Sequence, residues 1–354
     1  MSSLTGPVCI DSLVSERFNE NPERWWNKFY QKNTANFFKN RKWLQQEFPI
    51  LGQITQSDSP PTLILEVGAG AGNTAFPILE QNKNPNLKIH ACDFSKKAVE
   101  LIRNNPLFES PGIVGSIDTS VWDVVSPVDA DSGKAQLPLG IEPETVDVVI
   151  LIFIFSALAP KQWQQAIRNI WATLKPGGVV LFRDYGRGDL AQVRFKKGRY
   201  LDENFYIRGD GTRVYFFDED ELRRLWSGDE SMTPNRAVGS NQDCVEQMSN
   251  GLSSVCLDSN LDPSLDEPTG GPNFDILNFG VDRRMLVNRQ RRLKMYRCWM
   301  QGLFRKPFVT SVAEASKVAT EKTTVKSAVE LLAASTSVIN IPIVEESGPA
   351  VSPL

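Results

Sequence analysis

From Thr62 onward, short apolar runs alternate with stretches of helical periodicity, the pattern of a parallel sheet covered by helices on both faces. Residues 62–67 read as a first strand and 73–81 as the helix that follows it; 88–92 and 96–104 repeat the unit. The unbroken apolar run 146–153 suits a central strand buried on both sides. A helix over 159–173 is stopped by Lys175-Pro176-Gly177-Gly178, and 179–183 is the next strand. A helix is predicted at 218–226. Two more periodic segments, 276–288 and 293–303, flank the basic turn Arg289-Gln290-Arg291-Arg292 and read as a hairpin that closes the sheet. The prediction is a doubly wound, Rossmann-like α/β fold with a mostly parallel sheet and a C-terminal antiparallel hairpin.

Between the last helix and the hairpin the pattern dissolves into Ser, Asn, Asp, Gly and Pro. Residues 227–273 are expected to be a disordered acidic insertion, and 309–354, rich in Ala, Ser, Thr and Val, a disordered tail. The chain thus divides into an N-terminal basic and aromatic helical lid (1–61), a core (62–226), the insertion, the closing strands (274–308) and the tail.

Charge changes the picture because it is uneven. The formal net charge is -3. Yet Arg24, Lys28, Lys32, Lys39 and Arg41 form a stretch without an acid, and residues 283–306 hold nine Lys or Arg, again without an acid. The insertion carries the compensating acids, so the rest of the chain is compatible with a polyanionic partner. Five scattered cysteines and one histidine, His90, give neither metal-ligand spacing nor a disulfide framework. No apolar run approaches a membrane span, and no secretory signal is read at the N-terminus. A reducing, cytoplasmic setting with no metal and no membrane is expected.

The first strand ends in Glu66-Val67-Gly68-Ala69-Gly70-Ala71-Gly72-Asn73, which clears side chains from the place where a ligand meets backbone at a strand's carboxyl end. A dinucleotide fingerprint needs a glycine where Asn73 stands. An acid two residues before GxGxG suits S-adenosyl-L-methionine (SAM) better, with Glu66, Gly68, Gly70 and Gly72 around it. Asp93, at the end of the second strand, is the expected partner of the ribose hydroxyls. An ordinary tight turn would explain the glycines alone, but not these acids in register with them. The chain lacks an Asn or Asp followed by Pro-Pro and an aromatic after the fourth strand, and it lacks a Pro-Cys nucleophile. The acceptor is therefore one that needs little activation, or a small molecule or protein.

Further motifs carry a closer resemblance. Trp26-Asn27-Lys28-Phe29-Tyr30, Asn36-Phe37-Phe38-Lys39-Asn40-Arg41-Lys42-Trp43, the segment 65–77, Ala91-Cys92-Asp93-Phe94-Ser95 and Leu151-Ile152-Phe153-Ile154-Phe155-Ser156-Ala157 are part of it. So are Phe182-Arg183-Asp184-Tyr185-Gly186, the segment 203–217 and Val281-Asp282-Arg283-Arg284. Over roughly 25–307, the insertion excepted, the chain resembles the eukaryotic tRNA N(3)-methylcytidine methyltransferases. The resemblance implies a class I SAM methyltransferase fold with a seven-stranded sheet. It implies methylation of N3 of the cytidine at position 32 in the anticodon loop of threonine and/or serine tRNAs. Some members rely on a partner such as seryl-tRNA synthetase.

By the same resemblance Trp26, Tyr30, Gly68, Asp93, Asp123 and Ile152 surround SAM, with Asp118 the alternative to Asp123 for the adenine. Phe38, Arg41, Arg208 and Arg283 approach the base and phosphates, with Arg183, Tyr185 and Arg213 in the same motifs. Asp184 is the catalytic candidate, orienting the cytosine amino group. Two other readings stay open: a small-molecule SAM methyltransferase, and a non-catalytic SAM-fold subunit that binds tRNA. Salt-dependent affinity for structured tRNA separates the first from the RNA reading.

Overall fold

The computed structural model describes residues 17–33, 37–196, 198–228, 272–289 and 292–308. Nearly all of the expected insertion and the whole of the expected tail lie outside the described residues. Among the described residues, α1 (Pro22–Asn33), α2 (Leu44–Glu47) and α3 (Pro49–Ile54) precede the sheet. The alternating core follows as β1 (Thr62–Val67), α4 (Ala75–Gln81), β2 (Leu87–Asp93), α5 (Lys96–Arg103) and β3 (Ser116–Val121). It continues through β4 (Val146–Ile152), α6 (Trp163–Thr173) and β5 (Leu174–Tyr185). After α7 (Leu190–Val193) come β6 (Tyr200–Asp202), β7 (Phe205–Ile207) and β8 (Arg213–Tyr215), then α8 (Glu219–Ser227), β9 (Asp275–Asn288) and β10 (Leu293–Arg305).

The main sheet has seven strands in the order β3-β2-β1-β4-β5-β10-β9, and β6-β7-β8 form a small second sheet. Strands β1 to β5 are parallel, whereas β10 runs antiparallel to β5 and to β9. Strand order reverses between β1 and β4, which are parallel neighbours, and this switch point opens a crevice at their carboxyl ends.

Strand alternation divides the core. Ile64, Val148, Ile150, Ile152 and Leu181 pack on the face covered by α2, α3, α4 and α5. Leu65, Val67, Val149, Leu151, Val180 and Phe182 pack on the opposite face against α6 and α8. There Trp226 of α8 stacks on Phe304 of β10 at 4.4 Å and 10°. Burying rings of this size is worth roughly 2–3 kcal/mol each, and both are fully buried, so α8 and the closing hairpin share one core.

The structure departs from the expected elements at four places. β3 escapes prediction because Ser116-Ile117-Asp118-Thr119-Ser120-Val121 is a polar edge strand without an apolar run. The helix expected from residue 73 begins at Ala75, whose N–H donates to the Glu66 carboxylate (3.0 Å). Lys175-Pro176-Gly177-Gly178 does not precede β5 but lies inside it, at a register irregularity against β4; Gly177 there has φ +83°. The β6-β7-β8 sheet is built from three-residue strands, too short for any period to register. Among the described residues no helix is long and apolar enough to cross a membrane.

A candidate cofactor and nucleic-acid site at the carboxyl edge

The loop after β1 holds Gly68, Gly70 and Gly72 at φ +64°, +59° and +79°, a region costly for residues with a Cβ. Gly70 N–H donates to Asp93 Oδ2 (2.9 Å), and Ser95 N–H donates to Asp93 Oδ1 (2.8 Å). Asp93 is buried at the end of β2, and burial pushes its carboxyl up to about 6 against the pull of these two bonds. Each of its oxygens keeps a lone pair for a further donor. Ile152 ends β4 as buried apolar surface. Tyr30 of α1 lies over the loop, stacked on Trp26 (6.0 Å, 28°). The helix itself is tied down by Asn27 Oδ1, which accepts from Ser95 Oγ (2.8 Å) and Lys97 N–H (3.3 Å).

Just past β3, Asp123 lines a cleft of ≈ 520 Å³ together with Glu23, Phe94, Trp122 and Leu137. Asp118 sits in mid-strand, exposed, and does not line that cleft. A buried carboxylate at the end of β2 with lone pairs to spare, a second acid beside a cleft and a glycine backbone without side chains together fit SAM. Among the described residues no cluster of His, Cys, Asp and Glu is arranged to hold a metal. His90, buried, pairs through Nε2 with Ser120 Oγ (2.7 Å), a satisfied core contact.

Beside the glycine loop lies an aromatic and cationic corner. Phe153, the residue after β4, has φ +63° and packs its ring 4.7 Å from Tyr185. Arg208 lies 5.5 Å from the Tyr185 ring and Arg41 lies 5.9 Å from the Phe153 ring, within cation–π range. Next to Tyr185 in sequence, Asp184 is fully buried and accepts from the backbone N–H of Ser156 (2.9 Å) and of Tyr185 (2.8 Å). Burial pushes its carboxyl up to about 6. Asp184 therefore holds the loop after β4 against the end of β5, a positioning geometry, with no exposed surface of its own.

Other expected site residues stand elsewhere. Strand alternation sends Arg183 to the face opposite Asp184. There it is 3% exposed, donates to Asp282 Oδ2 (2.6 Å) and to Gln301, and is stacked between Trp43 (5.3 Å) and Trp299 (4.6 Å). Arg213 is equally buried, donating to Asn19 Oδ1 (2.9 Å) and Ala157 O (3.0 Å), and burial lowers its pKa to about 10. Both are framework cations, not surface ones. Glu66 lies under the loop, bonded to the start of α4, and burial raises its carboxyl to about 7. Phe38 packs against Phe29 and Phe37 in the lid, and its carbonyl accepts from Asn73 Nδ2 (3.0 Å).

The acid-free run 283–306 is not free of acids in space. Arg284 pairs with Glu47 and Asp282, Arg297 with Asp189, Arg305 with Asp275, and buried Lys306 with Glu144. Arg283, Arg292 and Lys294 are exposed on the ribbon that β9 and β10 extend past the end of β5. Phe153, Asn27, Asn73 and Thr74 join the site although no sequence motif marks them individually. Asn73 directly follows the glycine loop and Phe153 ends the central apolar run, so both were visible as positions, but their roles depend on the lid that folds over them.

Residues 65–180 match the family model described as a methyltransferase domain. The chain is 46% identical over 298 residues to a tRNA(Thr) (cytosine(32)-N(3))-methyltransferase of Saccharomyces cerevisiae, covering 84% of this chain and 39% of that protein. It therefore spans well under half the length of that relative. It is 43% identical to a tRNA N(3)-methylcytidine methyltransferase of Schizosaccharomyces pombe (82% of this chain, 76% of the other). A Drosophila melanogaster tRNA N(3)-methylcytidine methyltransferase is 37% identical (84% and 75%).

Proposed function

The chain belongs to the tRNA N(3)-methylcytidine methyltransferases, and from that premise we propose that it methylates N3 of the cytidine at position 32 in the anticodon loop of threonine and/or serine tRNAs. The observation that carries the reading is the continuity of the glycine loop with the Phe153–Tyr185 corner, where Arg41 and Arg208 stand over the two rings. SAM, the cofactor, supplies an electrophilic methyl group.

N3 of neutral cytosine carries its lone pair in the ring plane, so no base is required to remove a proton and catalysis rests on positioning. That atom lies on the pairing edge, so the base has to be unpaired or flipped out, and it then needs stacking partners. Phe153 and Tyr185 supply aromatic faces, and Arg208 and Arg41 supply cations at the phosphate side. The methylated base carries a positive charge. Asp184, mostly ionised at pH 7 and bonded to the Tyr185 backbone N–H, lowers the energy of that charge through the field it sets up.

The test is incubation of the purified protein with SAM and an anticodon stem-loop RNA, followed by mass spectrometry of the nucleosides. The expected product is 3-methylcytidine, formed on the cytidine at position 32 and lost when that base is changed to uridine. Running full-length threonine and serine tRNAs with and without seryl-tRNA synthetase separates a self-sufficient enzyme from one that needs the synthetase. No 3-methylcytidine under any of these conditions would overturn the reading.

A further inference from the structure

The lid and the cofactor loop are joined at one buried point that also touches the base corner. Arg41 Nη1 donates to Thr74 Oγ1 (2.8 Å) and stands 3.8 Å from Glu66 Oε1. The Thr74 hydroxyl is close enough to the Glu66 carboxylate to favour its charged form, and Thr74 is fully buried. One residue earlier, Asn73 Nδ2 donates to Phe38 O (3.0 Å) and Asn40 Oδ1 (3.2 Å), while Asn73 O accepts from Arg41 N–H (2.8 Å). Asn73 and Thr74 follow Gly72 directly, so the backbone that borders the cofactor is held by the same lid segment whose guanidinium stands over Phe153.

We propose that Arg41, Thr74 and Glu66 form a latch through which cofactor occupancy and RNA occupancy strengthen one another, Thr74 acting as its positioning residue. The inference rests on the tRNA reading above. A hydroxyl is what the position requires, because it accepts from Arg41 and stands beside the Glu66 carboxylate that Arg41 also faces, so one small polar side chain links the two. A ligand that settles the glycine loop settles Thr74 and hence Arg41. An RNA base that packs on Phe153 and Tyr185 settles Arg41 from the other side. Coupling of this kind is reciprocal: each ligand raises the affinity for the other by the same factor.

The experiment is calorimetric titration of the full chain with S-adenosylhomocysteine, alone and with saturating anticodon stem-loop RNA. In the wild type the RNA is expected to tighten S-adenosylhomocysteine binding by roughly fivefold or more, the lower end of typical coupling. Thr74→Val is expected to bring that factor near one, and Thr74→Ser, which restores the hydroxyl, to recover it. A merely structural threonine would weaken both titrations alike and leave their ratio unchanged. If Thr74→Val does not fold, Arg41→Lys, which keeps a charge but not the fork, is expected to abolish the coupling in its place. A wild type that binds both ligands with no coupling, or a Thr74→Val protein that keeps the wild-type factor, overturns the latch and leaves the tRNA reading standing. A wild type that binds S-adenosylhomocysteine but no stem-loop overturns both.

Discussion

A methyl group placed on Gly70 would lie 2.5 Å from the hydroxyl oxygen of Tyr30. The cofactor loop and the lid thus meet with no space for a side chain, and Gly70 also has φ +59°, which disfavours one on backbone grounds. Alanine there costs roughly 1–2 kcal/mol in backbone strain and pushes Tyr30 off the loop. Gly70→Ala is expected to weaken S-adenosylhomocysteine binding at least tenfold, with a loss of only a few degrees in Tm. Calorimetry beside a thermal melt checks this; unchanged affinity would mean that the Tyr30 contact is incidental.

Asp93 gives opposite pH trends for stability and for cofactor binding. Its carboxyl is raised from an ordinary 3.8 to about 6 by burial, so between those values the folded chain holds a proton that the unfolded chain has released. Its contribution to stability is therefore present at low pH and lost as pH rises through about 6. Ribose hydroxyls donate to the ionised form, so affinity for S-adenosylhomocysteine is expected to rise over the same window, by up to about tenfold per pH unit below 6. Asp93→Asn is expected to bind weakly and with a flatter profile. Titrations from pH 5 to 8 decide it: affinity that falls as pH rises would refute the assignment.

The sheet and the cofactor loop were legible because they rest on patterns internal to each segment: β1 and the Gly68–Gly72 loop are read from eleven adjacent residues. The polar β3 and the three-residue strands carry no such pattern. Among site residues, Arg183 shows where reading fails. It adjoins Asp184 in one motif, yet a strand turns neighbours to opposite faces, and that rule, applied to Arg183-Asp184-Tyr185, already says that Arg183 and Asp184 do not share a pocket. The pairing of the 283–306 cations was not readable, because Glu47, Glu144 and Asp189 reach them only through the fold.

Arg183 is accordingly expected to matter for folding more than for RNA. Its removal leaves Asp282 and Glu47 to Arg284 alone and opens the space between Trp43 and Trp299; emptying a buried site of that size costs roughly 2–5 kcal/mol. Arg183→Ala should lower the denaturant midpoint markedly while the slope of log Kd against log salt for stem-loop binding stays as in the wild type. A stable variant with a reduced slope would return Arg183 to the RNA surface.

Arg283 and Lys294 make the contrasting case. Both are exposed on the β9–β10 ribbon beyond the last β5 pairing, Trp299 with Tyr185, on the same edge as the glycine loop and the Tyr185 corner. An exposed cation that meets a phosphate releases counterions, and its loss lowers the salt slope by about one for each contact. Arg283→Ala and Lys294→Ala together are expected to weaken stem-loop binding and to cut that slope by about one to two, with Tm unchanged because neither side chain is buried. The single-turnover rate at saturating RNA should stay near that of the wild type, since neither residue adjoins Phe153 or Tyr185. Filter binding across a salt series with a quenched-flow rate measurement separates the terms; an unaltered slope would show that the ribbon stands clear of the RNA backbone.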